Sequence, residues 1–362
     1  MIRTLILAAS AAAFVASPAE AASWLVCNGS KIIKWSGLST TARINTGSYP
    51  AGPILQAAQR GIDITNSNPS RFTINRTTET GGVGRGNGQN EVYAQSIGSP
   101  GVARMNYHCY WFFGTRAGLD EVDIVIDSGR TDWTTSRAKA SNFVYGGSGR
   151  PIEAVIVHEA GHYLGLMHVN SEYNIMGDAW RHHHTNGSEA RSYFGEDAGH
   201  GARHLYGARA GAFNDVAVSH WRRIGASGEY SSHDRTRMFN AAGTALTPTI
   251  VNGEPRYTVN RGETVRAEFT IENNGKANVN NVRYGIYIST NDFISTLDRR
   301  VGGGSYATIN PADVATHLFT FTVPNDLSAN TNYWVGIVID ENNMVAETDG
   351  FNNATYIGIR TR

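Results

Sequence analysis

The sequence reads as a mixed α+β unit followed by a β-sandwich. Its 362 residues exceed what one hydrophobic core usually serves, so two folded units are expected. The segment Ile152–Leu164 is apolar nearly all round in its first half, opens after Pro151 and is broken by Gly165, which is the pattern of a buried central helix. Beyond about Leu246 the chain changes to alternating apolar and polar runs separated by Asn, Gly and Asp turns, the pattern of a sandwich of roughly a hundred residues. Forty glycines and abundant Asn and Thr also argue against an all-helical fold.

At the N-terminus, Met1–Arg3 is short and basic, Leu5–Ala16 is apolar, and Ala19-Glu20-Ala21 places small residues around a cleavage point. Residues 1–21 therefore read as a signal peptide, and the mature chain is expected to be secreted or extracellular, or periplasmic in a Gram-negative cell. The rival, a membrane anchor, needs about 20 apolar residues. This run stops at Ser17-Pro18, and no later stretch is long and apolar enough to span a bilayer. The two cysteines, Cys27 and Cys109, read as one disulfide in an oxidising compartment. A lipid anchor at Cys27 is disfavoured because Trp24-Leu25-Val26 lacks the small residues that such processing requires. Lys plus Arg and Asp plus Glu each total 31, and no block of like charge stands out, so nucleic acid is not an expected partner.

Along the mature chain, Lys31–Trp35 and Thr41–Thr46 suit short strands, and Gly52–Ile64 has the apolar spacing of a helix. Phe72–Asn75 reads as a strand. Gly81–Gly88 is a glycine-dense stretch without the strand, helix and Lys-Ser/Thr pair of a phosphate cradle, and is expected to be a mobile loop. Glu121–Asp127 alternates with period two, as a strand with one buried face does. Ser141–Tyr145 is a further candidate strand. Gly195–Tyr206 is a candidate helix with acids in its first turn and Gly207 after its last. Strands are expected at Val265–Ile271, Val282–Ile288, Leu318–Val323 and Tyr333–Ile339, whereas residues 210–245 carry no readable role. The expected division is a signal peptide at 1–21, a catalytic unit at 22–245 and a sandwich at 246–362.

The chemistry concentrates in residues 158–168, His-Glu-Ala-Gly-His-Tyr-Leu-Gly-Leu-Met-His. On a helix His158 and His162 stand one turn apart on the same face, so both imidazoles reach one ion. Gly165 lets the chain turn back and bring His168 in as a third nitrogen ligand. Three protein ligands leave a position open, as catalytic rather than structural zinc sites do. Glu159 points off the ligand line and is the expected general base. Other histidines invite the same reading. His182, His183 and His184 are adjacent, point in different directions and are expected in a solvated loop, while Glu196, His200 and His204 share a helix face whose charges already suit the helix dipole.

HEAGHYLGLMH resembles the zinc-binding sequence of the metzincin metalloproteases. Met176, in Tyr-Asn-Ile-Met-Gly eight residues after His168, resembles the turn methionine lying beneath the metal in that clan, with the spacing found in matrixins. The stretch Asp197–Gly207 resembles the matrixin C-terminal helix. The resemblance is strong over 151–207 and diffuse over 30–150. It implies a metzincin-like fold with a twisted mixed sheet and an active-site helix, one catalytic Zn²⁺, and a protein or peptide substrate. That substrate would lie beside an edge strand, with Gly177–Arg181 walling the pocket beyond the scissile bond. Structural Ca²⁺ is a family feature for which no loop is located here, and a second zinc site is likewise not located. The cysteine that blocks zinc in matrixin prodomains has no counterpart, because only a few residues separate the expected cleavage point from Cys27. Where some metzincins carry an extra tyrosine ligand, this sequence has Asp178. From Pro248 the chain resembles the CARDB-type, cell-adhesion-related domain, immunoglobulin-like in fold. The carrying residues are Thr270–Gly275, Tyr287–Asn291 and Asp340 through Glu347 to Asn353. The expected function is that of a secreted zinc metalloendopeptidase. The alternative is an extracellular adhesion protein in which the sandwich, binding a cell surface, a protein or a carbohydrate, is the active part.

Overall fold

The computed structural model describes residues 23–49, 52–111, 114–169, 174–177, 181–211, 213–227 and 230–362. The signal-peptide reading of residues 1–21 and the position of Asp178 lie outside the described residues. The chain is mostly β, with three α-helices among the described residues.

The N-terminal unit is built on a five-stranded sheet of β1 (Ser39–Asn45), β2 (Thr73–Glu79), β3 (Asn90–Gln95), β4 (Gly101–Trp111) and β5 (Thr115–Asp127), in the order β2-β1-β3-β5-β4. The first four strands of that order pair in parallel, and β4 runs antiparallel to β5 at the edge. Helix α1 (Gly52–Thr65) makes the crossover that the parallel pair β1 and β2 requires. Helix α2 (Ile152–Tyr163) packs against α1, β4 and β5, and every one of its residues is buried. Its last carbonyls do not go unmet, because Trp35 Nε1 donates to Tyr163 O at 2.7 Å and the Tyr206 hydroxyl of α3 (Gly195–Tyr206) donates to Leu164 O at 2.6 Å. Cys27 and Cys109 form the expected disulfide, with their Cα atoms 5.5 Å apart, fastening the N-terminal segment to the far end of β4.

Four local expectations are corrected. Ser141–Tyr145 is not a strand but parts of two 3₁₀ turns, Lys139–Ser141 and Phe143–Tyr145, because the Asn142 side chain accepts from Val144 N at 3.0 Å and closes a turn. Glu121–Asp127 is buried on both faces, not one. Of its acids, Glu121 is wrapped by the glycine-dense stretch, as is Glu91 of the neighbouring strand, while Asp123 accepts from Glu91 N at 3.0 Å and Asp127 from Gly129 N at 3.0 Å. Gly86 N and Gly88 N donate to Glu121 at 2.5 and 2.6 Å, and Gly84 N donates to Glu91 at 2.9 Å. The expected mobile loop is thus a set of amide donors to buried carboxylates. His183 and His184 lie in the hairpin His183–Asn186/Glu189–Ser192, and with His182 they are buried rather than solvated. Both faces of that hairpin are covered because it lies between the N-terminal unit and the sheets that follow. His184 Nε2 donates to Ala354 O at 3.0 Å, and Asn186 exchanges two hydrogen bonds with Ile294.

The C-terminal unit is two sheets around one core. One sheet has six strands in the order Thr249–Val251, Glu254–Val259, Ala354–Thr361, Asn332–Ile339, Val279–Ser289, Arg299–Ile309. The other centres on Thr264–Asn273, which pairs with Val314–Thr322 on one side and with Val216–Ser219 and Met238–Asn240 on the other. Phe269, Ile271, Ile286 and Ile337 meet between the sheets, and Val216, Val218 and Met238 belong to the same core. Part of residues 210–245 is therefore sandwich, although the sequence division placed it with the catalytic unit. Val216–Ser219 is only four residues long, too short to announce itself before its partner is known.

Two outcomes follow. Replacing both cysteines by serine, Cys27→Ser with Cys109→Ser, lowers the unfolding free energy by up to about 4 kcal/mol, read from denaturant midpoints of the two proteins. Burial pushes His183 and His184 down to about 4 from the ordinary 6.5. The unfolded chain therefore binds more protons between those values, and stability falls as pH drops through that window by up to about 3 kcal/mol per histidine. Urea titrations at pH 7 and pH 4.5 should give a shallower pH slope for His183→Asn and for His184→Asn than for the unsubstituted chain.

Candidate metal centre

Helix α2 places His158 and His162 one turn apart, and the chain then reverses through Gly165, whose φ of 91° is the left-handed conformation that a side chain disfavours. The reversal returns through Leu166–Met167 to His168. His168 Nε2 stands 3.1 Å from His158 Nε2 and 3.0 Å from His162 Nε2. Among the described residues no other group of three histidine, cysteine, aspartate or glutamate side chains converges in this way.

The outer ring nitrogens fix the inner ones. His158 Nδ1 donates to Ile175 O at 2.6 Å and His162 Nδ1 donates to Leu166 O at 2.8 Å. A carbonyl only accepts, so each Nδ1 carries the proton and each Nε2 presents a lone pair. Burial pushes His162 down to about 4 and His158 well below its ordinary value, so both rings are neutral. Lone pairs directed at one point about 3 Å apart suit a shared cation, since imidazoles around a tetrahedral zinc at 2.0–2.1 Å stand about 3.3 Å apart. The donor set therefore fits a divalent metal. His158 and His162 are buried, whereas His168 is exposed at the mouth, so access is from its side.

Glu159 lies in the same cleft and is 3% exposed. Burial raises its carboxyl to about 8, with only a backbone hydrogen bond from Ala103 opposing the shift. A divalent cation held by the three imidazoles would draw that value back down. The cleft is about 310 Å³ in volume, and its opposite wall is the start of β4, from Gly101 to Ala103. A Cβ at Gly101 would stand 2.7 Å from Glu159 Oε1, so the glycine is what leaves room for the carboxylate.

Met176 is buried against α2, where a Cβ at Gly161 would overlap its sulfur. Its turn is held by contacts that the sequence reading missed. Met176 N donates to Asn174 Oδ1 at 2.9 Å, Val169 N donates to Met176 O at 3.0 Å, and Asn174 Nδ2 is bonded to Asp197 at the start of α3. The only sequence signal was an asparagine two residues before the methionine, the spacing of a side-chain-to-amide turn. Of the expected pocket wall Gly177–Arg181, only Gly177 and Arg181 are among the described residues. Glu196, His200 and His204 do not converge as a second metal group. Instead the His204 ring stacks on Trp24, with centroids 4.4 Å apart.

Gly161→Ala drives a methyl into the Met176 sulfur and is expected to cost about 1–3 kcal/mol. A thermal scan of the two proteins checks this.

Residues 106–207 match the family model described as Matrixin, and residues 246–356 match the one described as CARDB. No curated protein matches the chain. Among solved structures, the solution structure of the CARDB domain of a Pyrococcus furiosus protein is 14% identical, covering 42% of this chain and 97% of that one with a TM-score of 0.26. The crystal structure of that domain, described as in complex with di-metal ions, is 15% identical and covers 41% of this chain and 90% of that one, also with a TM-score of 0.26.

Proposed function

We propose that this chain is an exported zinc-dependent metalloendopeptidase with a metzincin-like, matrixin-type catalytic unit and an immunoglobulin-like sandwich that serves as a binding module. The observation that carries the reading is the convergence of the three Nε2 atoms beside a buried carboxylate in an open cleft. The Matrixin match over 106–207 supports it. His158, His162 and His168 are the metal ligands, Glu159 is the general base, and Met176 forms the supporting turn. The division between the units falls after α3 and ahead of Phe213, whose carbonyl accepts from Lys276 N of the sandwich at 3.0 Å, with the strand Val216–Ser219 pairing into the sandwich next.

When bound, zinc supplies Lewis acidity, making water a better nucleophile near neutral pH and polarising the scissile carbonyl. The remaining steps belong to the chain. The outer edge of β4, whose other side pairs with β5, binds an extended polypeptide as an added strand. Glu159 takes a proton from the attacking water and returns it to the leaving amine. The carbonyls of Ile175 and Leu166 hold the imidazoles in one tautomer and one orientation throughout.

The test is a peptide-library digest with and without a chelator, compared with Glu159→Gln. Glu159→Gln is expected to keep its zinc and its unfolding midpoint while hydrolysis falls about 10²–10⁴-fold, and His162→Ala is expected to lose both zinc and hydrolysis. Protein that holds one zinc and cleaves no peptide overturns the reading.

A further inference from the structure

A cavity of about 540 Å³ lies away from the histidine cleft, at the seam where the N-terminal unit meets the sandwich. Its volume falls within the range of small-molecule sites. Phe143 contributes to it from the N-terminal unit, and Leu246, Ile250 and Tyr257 line it from the sandwich side.

The polar end is cationic. Arg237 is matched by Glu268 at 3.0 Å, and Asp234 is matched by Arg222 at 2.7 Å. The half-buried guanidinium of Arg235 is left over, since among the described residues no side chain pairs with it. A partly desolvated guanidinium without an acceptor is unfavourable, and a carboxylate matches its donor fork. The seam cannot close to fill the space. The turn Asn252-Gly253 presses against residues 143–146 backbone to backbone. A Cβ at Gly253 would overlap Val144 O, and one at Gly146 would stand 3.1 Å from Asn252 Cα. Lys139, paired with Glu254 at 3.1 Å, fastens the same contact.

From the unmatched guanidinium, the apolar walls and the fixed floor, we infer that this cavity binds a carboxylate with an apolar tail, the carboxylate on Arg235 and the tail against Leu246 and Ile250. Two sources share that chemistry: a fatty acid, and the free C-terminus of a peptide ending in bulky apolar residues. The site is independent of the metal centre.

Titration calorimetry on the full chain distinguishes them, using dodecanoate and N-acetyl-Leu-Phe as probes and dodecanol and N-acetyl-Leu-Phe amide as their uncharged counterparts. At least one acid is expected to bind one to one, about tenfold or more tightly than its counterpart. Which acid binds names the source. Arg235→Gln is expected to erase that preference, and Ile250→Glu, at a position 63% exposed and so safe for folding, is expected to weaken binding of the acid. The inference is overturned if neither acid binds, if acid and counterpart bind alike, or if Arg235→Gln leaves the affinity unchanged. Binding that survives Arg235→Gln but disappears with chelator belongs to the histidine cleft and also overturns it.

Discussion

Two backbone carbonyls organise the candidate metal centre. Ile175 O and Leu166 O each accept the Nδ1 proton of a buried histidine, and by doing so they aim the opposite nitrogens at one point. Without those acceptors the imidazoles of His158 and His162 could flip, and helix geometry alone would bring them only into the same neighbourhood. Both carbonyls belong to chain that follows α2. The reversal at Gly165 and the turn at Met176 therefore serve the tautomer of His158 and His162 as well as the position of His168.

The same economy runs through the surrounding fold. Helix α2 is buried on every side, so it cannot shift without displacing the sheet, and its end is finished by donors from Trp35 and Tyr206. Met176 fits only because position 161 has no side chain, and Glu159 has room for the same reason at position 101. Asn174 and Asp197 tie the methionine turn to α3, so the floor of the site is held from a third element. Preorganisation of this kind leaves the side chains of the cleft little to rearrange.

The two units are joined by more than a linker. The hairpin His183–Asn186/Glu189–Ser192 lies against the sandwich, and Thr355 donates to Thr185 O at 3.0 Å. Tyr193 links Ser219 and Trp221 through its hydroxyl, at 3.2 and 2.9 Å. Lys139 reaches Glu254, Asp292 and the Tyr356 hydroxyl across the seam. The buried polar groups of Thr185, Tyr193 and Lys139 are thus matched by hydrogen bonds and ion pairs between units, the condition under which such groups are tolerated.

Residues close together in sequence carried most of what could be read in advance. The spacing of His158, His162 and His168, the position of Glu159 and the apolar run of α2 depend on helix period and on one glycine, and the period-two runs of the sandwich depend on strand geometry. These are short-range properties, and a single sequence states them. What the tertiary structure alone decided was set by partners far along the chain. Val216–Ser219 is sandwich because Thr270–Asn273 lies beside it, and His183 and His184 are buried because a second unit covers their outer face. The glycine-dense loop is a carboxylate cradle because Glu91 and Glu121 fold beneath it. Burial and pairing across such separations depend on which surfaces meet, and no local pattern of residues encodes that.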